Sequence, residues 1–372
     1  MILYPEKWRN VRSILILSRR WAKNGVITDE QLQKILERKP VEYRTAPVLL
    51  AVGIYVLILL AIFSLYAFLT TFLRLSENVI LFSATSFSFG LCCYFFLIYT
   101  VRTRKLFNAG IDNAFQIAFA AIVYIGIVAL AFKVNEQPAP ITFALAALPL
   151  LLLGAIRFAS IVFATLLNCC LVVIIFLWLE QHLIVPYSWI PLFVVGWSCF
   201  LYIVAKCTEN LALLKPWRNS LISVEAFAVI MLYAAVNYFL VEEAHVRYWN
   251  LEITDQLIPL SNLHFILTGT IPLVYIGAGI YRRDRLLIRI GILTLIASAF
   301  TFQHHYFNEH LMEFLISTGL IFLITTTMAY LFLRQPKRGF INTSILQHEL
   351  GNLNLDGVLI DKFSNVVSKE RA

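Results

Sequence analysis

The stretch VLLAVGIYVLILLAIFSLYAFLT, residues 48–70, carries no charge in twenty-three positions. A run of about 20 apolar residues is what an α-helix needs to cross the hydrocarbon core of a bilayer. No soluble core of ordinary size buries a helix that is apolar on every side. Working outward from it, nine further apolar stretches follow at similar length: 78–100, 112–132, 140–156, 160–179, 188–205, 219–241, 263–281, 286–303 and 311–333. The chain as a whole is 60% hydrophobic and only 14% charged, well below the roughly 25% charge of soluble domains. The expected fold is an all-α membrane protein of ten transmembrane helices.

The charges fix its orientation. Placing the N-terminus inside puts 27 of the 30 Lys and Arg residues on the inner side, and leaves only Arg74, Lys133 and Arg247 outside. Basic residues are retained on the cytoplasmic side, so the prediction is N-in and C-in. The formal charge of +8 then reflects orientation and contact with anionic lipid headgroups on the cytoplasmic side. A nucleic-acid partner is set aside on this ground. The first residues, MILYPEKWRNVRS, lack the apolar core and small residues of a cleaved leader, and none is expected. The expected organisation is a cytoplasmic helical hairpin over 1–46, a ten-span domain over 47–333 and a cytoplasmic tail over 334–372.

All six cysteines lie inside apolar stretches, which argues for small packing residues and against a disulfide framework. No phosphate-binding glycine loop, nucleophile elbow or H-E-x-x-H is present. Glycine is sparse at 15 of 372, and proline is sparse within the spans. Both counts argue mildly against many broken helices.

Before the first span, Trp8, Val11, Ile14, Leu15, Leu17 and Trp21 form an apolar face on a basic helix. Asn24-Gly25 suits its end. A second helix starts at Thr28, with Gln31 at the spacing of a capping box, and Leu32, Ile35 and Leu36 as its stripe. Two readings stay open for this amphipathic hairpin: a device bound at the headgroups, or a docking site for a partner protein or a second copy. LSRRWAKNGVITDEQLQKIL (17–36) resembles the N-terminal pattern of a family of bacterial integral membrane proteins of unknown function. RKLFNAGIDNAF (104–115) is similar to a stretch in related bacterial membrane proteins. The resemblance covers about a tenth of the chain. It implies a multi-pass protein of a bacterial cytoplasmic (inner) membrane, and brings no activity with it.

Ionisable residues inside spans are the default functional candidates, because charge is expensive in lipid. Glu225 lies about six residues into the seventh span, roughly 9 Å deep at helical rise, with no basic residue one turn away along its own helix. Asp112, with Asn113 and Gln116, marks the inner end of the third. Asn168 and Asn237 read as interhelical hydrogen-bonding groups. On the outer side, FQHHYFNEH (302–310) gathers His304, His305 and His310, with Glu313 just beyond and His264 able to approach from the eighth span. Neutral imidazoles with a carboxylate would suit a divalent metal or a proton site. A solvated aromatic and histidine rim accounts for the same residues. Three functions follow as expectations: transport or permeation of a small solute or ion past Glu225 and Asp112; a scaffold or sensor acting through the hairpin; or an outer-face metal-dependent enzyme. The balance is against an enzyme.

Overall fold

The computed structural model describes residues 3–23, 27–38, 43–182, 189–208, 211–249, 261–282 and 284–306, with single positions at 319, 323 and 327. Twelve α-helices lie within these residues: α1 Glu6–Lys23, α2 Asp29–Arg38, α3 Val48–Phe72, α4 Val79–Thr103, α5 Ile111–Val134, α6 Pro140–Phe158, α7 Ile161–His182, α8 Ile190–Thr208, α9 Arg218–Val236, α10 Tyr238–Trp249, α11 Ser261–Arg282 and α12 Arg285–Tyr306. Nine of them, α3 to α9, α11 and α12, are long and apolar enough to cross a bilayer. The chain is an all-α, multi-pass membrane protein. The tenth expected span, 311–333, and the tail, 334–372, lie outside the described residues, apart from isolated helical positions Gly319, Leu323 and Thr327.

Two compact units divide the chain, Met1–Ala228 and Val229–Ala372. In the first, α4 and α5 form the closest pair. Gly90 lets them meet, since a Cβ there would stand 2.5 Å from the Val123 side chain. Ser83 and Ser86 line the same seam and are buried, the small-residue contact by which spans pack in lipid. The outward surface of α3 is apolar and open: Val48, Leu49, Leu57, Phe68 and Phe72 are all exposed. Such a surface is stable only against lipid, because water would charge about 25 cal/mol per Å² for it.

The end of this unit where α3 and α5 begin is capped by the N-terminal segment. Tyr4, Trp8, Val11 and Leu15 of the N-terminal segment are buried with Tyr43 and Phe107. Their rings meet edge-on or tilted, Tyr4 to Phe107 at 4.9 Å and Tyr43 to Phe107 at 5.3 Å between centroids. Arg12 stacks its guanidinium over Phe107 at 5.2 Å, a cation–π contact. Leu3 N–H donates to Arg157 O at the end of α6, 2.9 Å. Trp8, Val11 and Leu15 on the apolar face of α1 are therefore turned onto the protein's own loops. Periodicity predicts that such a face must be covered, but not by what. On α2, Thr28 N–H donates to Gln31 Oε1 at 3.0 Å and Gln31 N–H to Thr28 Oγ1 at 3.3 Å, the reciprocal cap that their spacing predicts.

The loop before α5 holds Lys105, Asn108 and Gly110 at positive φ, 53°, 50° and 94°. Gly110 has no substitute here, because a Cβ would run into the carbonyl oxygen of Ala51 in α3. The loop is fixed to the chain entering α3 by a parallel bridge between Arg44 and Leu106.

In the second unit, α11 and α12 pack antiparallel with α10. The expected seventh span, 219–241, is not one helix. It stops at Val236 and restarts at Tyr238, with neither glycine nor proline at the break.

Candidate functional site

Asp112 is the second residue of α5 and is fully buried. Its Oδ2 accepts from Asn108 N–H at 2.7 Å, its Oδ1 from Ala109 N–H at 2.9 Å. The Tyr4 hydroxyl donates to Oδ2 at 2.5 Å, and Gln116 Nε2 donates to the Tyr4 oxygen at 2.7 Å. Negative charge in the first turn is also favoured by the helix dipole. Burial, then the Asp112 charge and hydrogen bond, push the Tyr4 hydroxyl well above its ordinary pKa of 10.0. Three donors converge on this carboxylate. It holds the loop and ties the N-terminal segment to the bundle, so a passing solute would have to displace Tyr4. Asn113, beside it, is half-buried. The expectation that Asp112 lies on a path is revised on this geometry to a tether.

Glu225 is held differently. It is 5% exposed, and Lys206 Nζ, from the last turn of α8, lies 2.7 Å from its Oε1. The Lys206 side chain is 34% exposed against 7% for that of Glu225. One end of the pair is buried and the other is partly exposed. The cation comes from nineteen positions back along the chain, beyond the reach of one helical turn on α9. The Ala212–Trp217 turn lies between α8 and α9, and the ion pair reaches across it. Nearby on α9, Ser223 and Thr165 of α7 share a hydrogen bond of 2.6 Å. The hydroxyls of Ser198 and Ser220 and the indole N–H of Trp197 are buried with no hydrogen-bond partner among the described residues. Asn168 donates to Ala164 O at 2.7 Å within α7.

The second unit carries a buried polar network without a formal charge, centred on the break at Asn237. Asn237 Oδ1 accepts Leu240 N–H at 3.2 Å, which makes Asn237 the N-cap of α10. Its Nδ2 donates to the Tyr233 hydroxyl at 2.8 Å and to Thr301 Oγ1 at 3.0 Å. Tyr238 N–H donates to Thr268 Oγ1 at 2.9 Å. Val236 O takes His264 Nδ1 at 3.2 Å. Ser298 and the Tyr233 hydroxyl are 2.8 Å apart, and Ser298 donates to Thr268 O at 2.5 Å. The backbone groups freed by the break are thus answered by side chains of α11 and by Asn237 itself, the condition for irregular backbone at membrane depth. The sequence signal was Asn237 itself, a cap-type residue read as interhelical glue.

His264 is buried at this break. His304 and His305 occupy the last turn of α12, but their side chains, and His310 and Glu313 altogether, lie outside the described residues. Among the described residues, no group of three or more His, Cys, Asp or Glu is set to hold a metal ion.

No protein-family model matches the chain, and neither the curated proteins nor the solved structures contain a match to it.

Proposed function

We propose that this membrane protein moves a small polar solute or cation across the bilayer, and that Glu225 and Lys206 lie on its path. The observation that carries the reading is the buried carboxylate of Glu225 paired with a lysine whose side chain is partly exposed. A buried ion pair is weak support for stability, since well-packed apolar residues often replace it without loss. Charged groups kept inside spans commonly serve ion and proton pathways. Lysine suits such a role because its charge rides on a flexible stem and is bound at a single point. An arriving cation or proton can take the Glu225 carboxylate while the ammonium swings toward water. Ser198, Ser220 and Trp197, on the same two helices, supply hydrogen-bonding atoms not used by described residues. A bacterial cytoplasmic membrane is part of the proposal, on the resemblance of residues 17–36 and 104–115.

The test is flux in proteoliposomes made with the full chain, followed with an internal pH dye and with potassium- and sodium-selective reporters. Flux above that of empty vesicles is expected for the wild type and lost in Glu225→Gln. Wild-type vesicles no leakier than empty ones to any of these ions, or Glu225→Gln vesicles equal to wild type, would contradict the mechanism for cations.

A further inference from the structure

Four cations stand together at the membrane face where α4 ends and α3 begins. Arg102 is in the last turn of α4, with Arg104 and Lys105 following. Arg44 comes from a different segment. Its N–H donates to Lys105 O at 2.8 Å, and its carbonyl accepts Phe107 N–H at 3.0 Å. The backbone therefore fixes the two segments side by side. All four side chains are exposed, and none makes an ion pair among the described residues. Residues 43–72 and 79–111 contain no acid. The first acid after them, Asp112, is buried and already holds three donors, and Glu42, two positions before Arg44, lies outside the described residues.

What lies next to this cluster identifies its ligand. Tyr99 and Phe95 precede Arg102 by three and seven positions, so all three share a face of α4. They are 50% and 65% exposed, and on α3 Val48 and Leu49 are 79% and 89% exposed. On spanning helices such surfaces meet acyl chains. A cationic seat at the foot of an apolar, partly aromatic surface matches a ligand with a phosphate at one end and hydrocarbon at the other. We infer that Arg44, Arg102, Arg104 and Lys105 form a binding site for an anionic glycerophospholipid. A free phosphate would use the cations alone and leave the apolar surface without a role. Basic residues at a cytoplasmic face attract anionic lipid in general. Here, one site is assembled by backbone pairing from two distant segments.

The experiment is thermal unfolding of the purified full chain in neutral detergent with added lipid. Phosphatidylglycerol is expected to raise the wild-type melting midpoint, while phosphatidylcholine and glycerol phosphate at equal concentration do not. The R44Q/R102Q/R104Q/K105Q variant should lose the increment. R19Q/K34Q/R282Q/R289Q, which removes as many exposed positive charges elsewhere, should keep it. If the first variant does not fold, R102Q/R104Q leaves the Arg44–Lys105 backbone pairing untouched and should lose at least half of the increment. Native mass spectrometry should likewise find fewer retained phosphatidylglycerol molecules on that double variant than on wild type. No wild-type response, an undiminished response in the site variants, an equal loss in the control variant, or a matching response to glycerol phosphate would each overturn the assignment.

Discussion

Asp112 and Glu225 are both carboxylates buried in the first unit, and their partners are of opposite kinds. Asp112 is gripped by two backbone N–H groups and a packed phenol. Those donors cannot leave without unfolding a loop or lifting the N-terminal segment. Glu225 is met by the tip of a lysine, which loses contact by rotating a few side-chain bonds. The contrast teaches that burial alone does not mark a functional acid. The stiffness of what holds it separates a structural carboxylate from one that can exchange its partner.

Substitutions sharpen or break this comparison. Asp112→Ala orphans the Asn108 and Ala109 N–H donors and the Tyr4 hydroxyl together, and should cost the most, about 3 kcal/mol or more, read as a fall in melting midpoint. A loss no larger than a surface substitution would remove the tether. Lys206→Met leaves Glu225 without its ammonium. A discount is due because the lysine is a third exposed, so the expected loss is about 2 kcal/mol. Adding Glu225→Gln to Lys206→Met should restore most of it; a double variant as unstable as the sum of the singles would show that the two do not interact. Asn237→Ala removes the α10 cap and its bonds to Tyr233 and Thr301, for a loss of about 1–2 kcal/mol. A smaller effect is expected for Tyr4→Phe, about 1 kcal/mol, with a pH signature. The folded Tyr4 pKa lies above its unfolded value, so its contribution is complete below about pH 10 and is lost as pH rises toward the folded value. Tyr4→Phe should remove that alkaline component of the unfolding profile. Thr28→Ala, on an exposed cap, should cost least, about 0.5–1 kcal/mol, and should leave the Asp112 cluster unchanged.

Much of the architecture was legible because a span leaves a local signal, as in 48–70, and so does a capping box, as in Thr28 and Gln31. The break at Asn237 was not, because the usual markers are glycine and proline. Here, the freed backbone is repaired by His264 and Thr268, whose proximity is a property of packing. Tyr4 and Asp112 are 108 positions apart, and no periodicity links them. Lys206 was legible as a cation at the end of a helix, but its pairing depends on how the Ala212–Trp217 turn aims α9. The hairpin's apolar face was read correctly as a face to be covered, while its cover, Tyr43 and Phe107, lay in segments with no visible relation to it. The outer histidines His304, His305 and His310 remain a sequence motif, because the described residues do not reach their side chains.

The most direct test of the contrast is chemical. A hydrophobic carbodiimide labels carboxyl groups that take up a proton within the membrane, and mass spectrometry of the labelled full chain locates the adduct. The account predicts label on Glu225, blocked by Glu225→Gln, and none on Asp112. Label on Asp112 with Glu225 unmodified would invert the assignment of the two carboxylates and contradict the account.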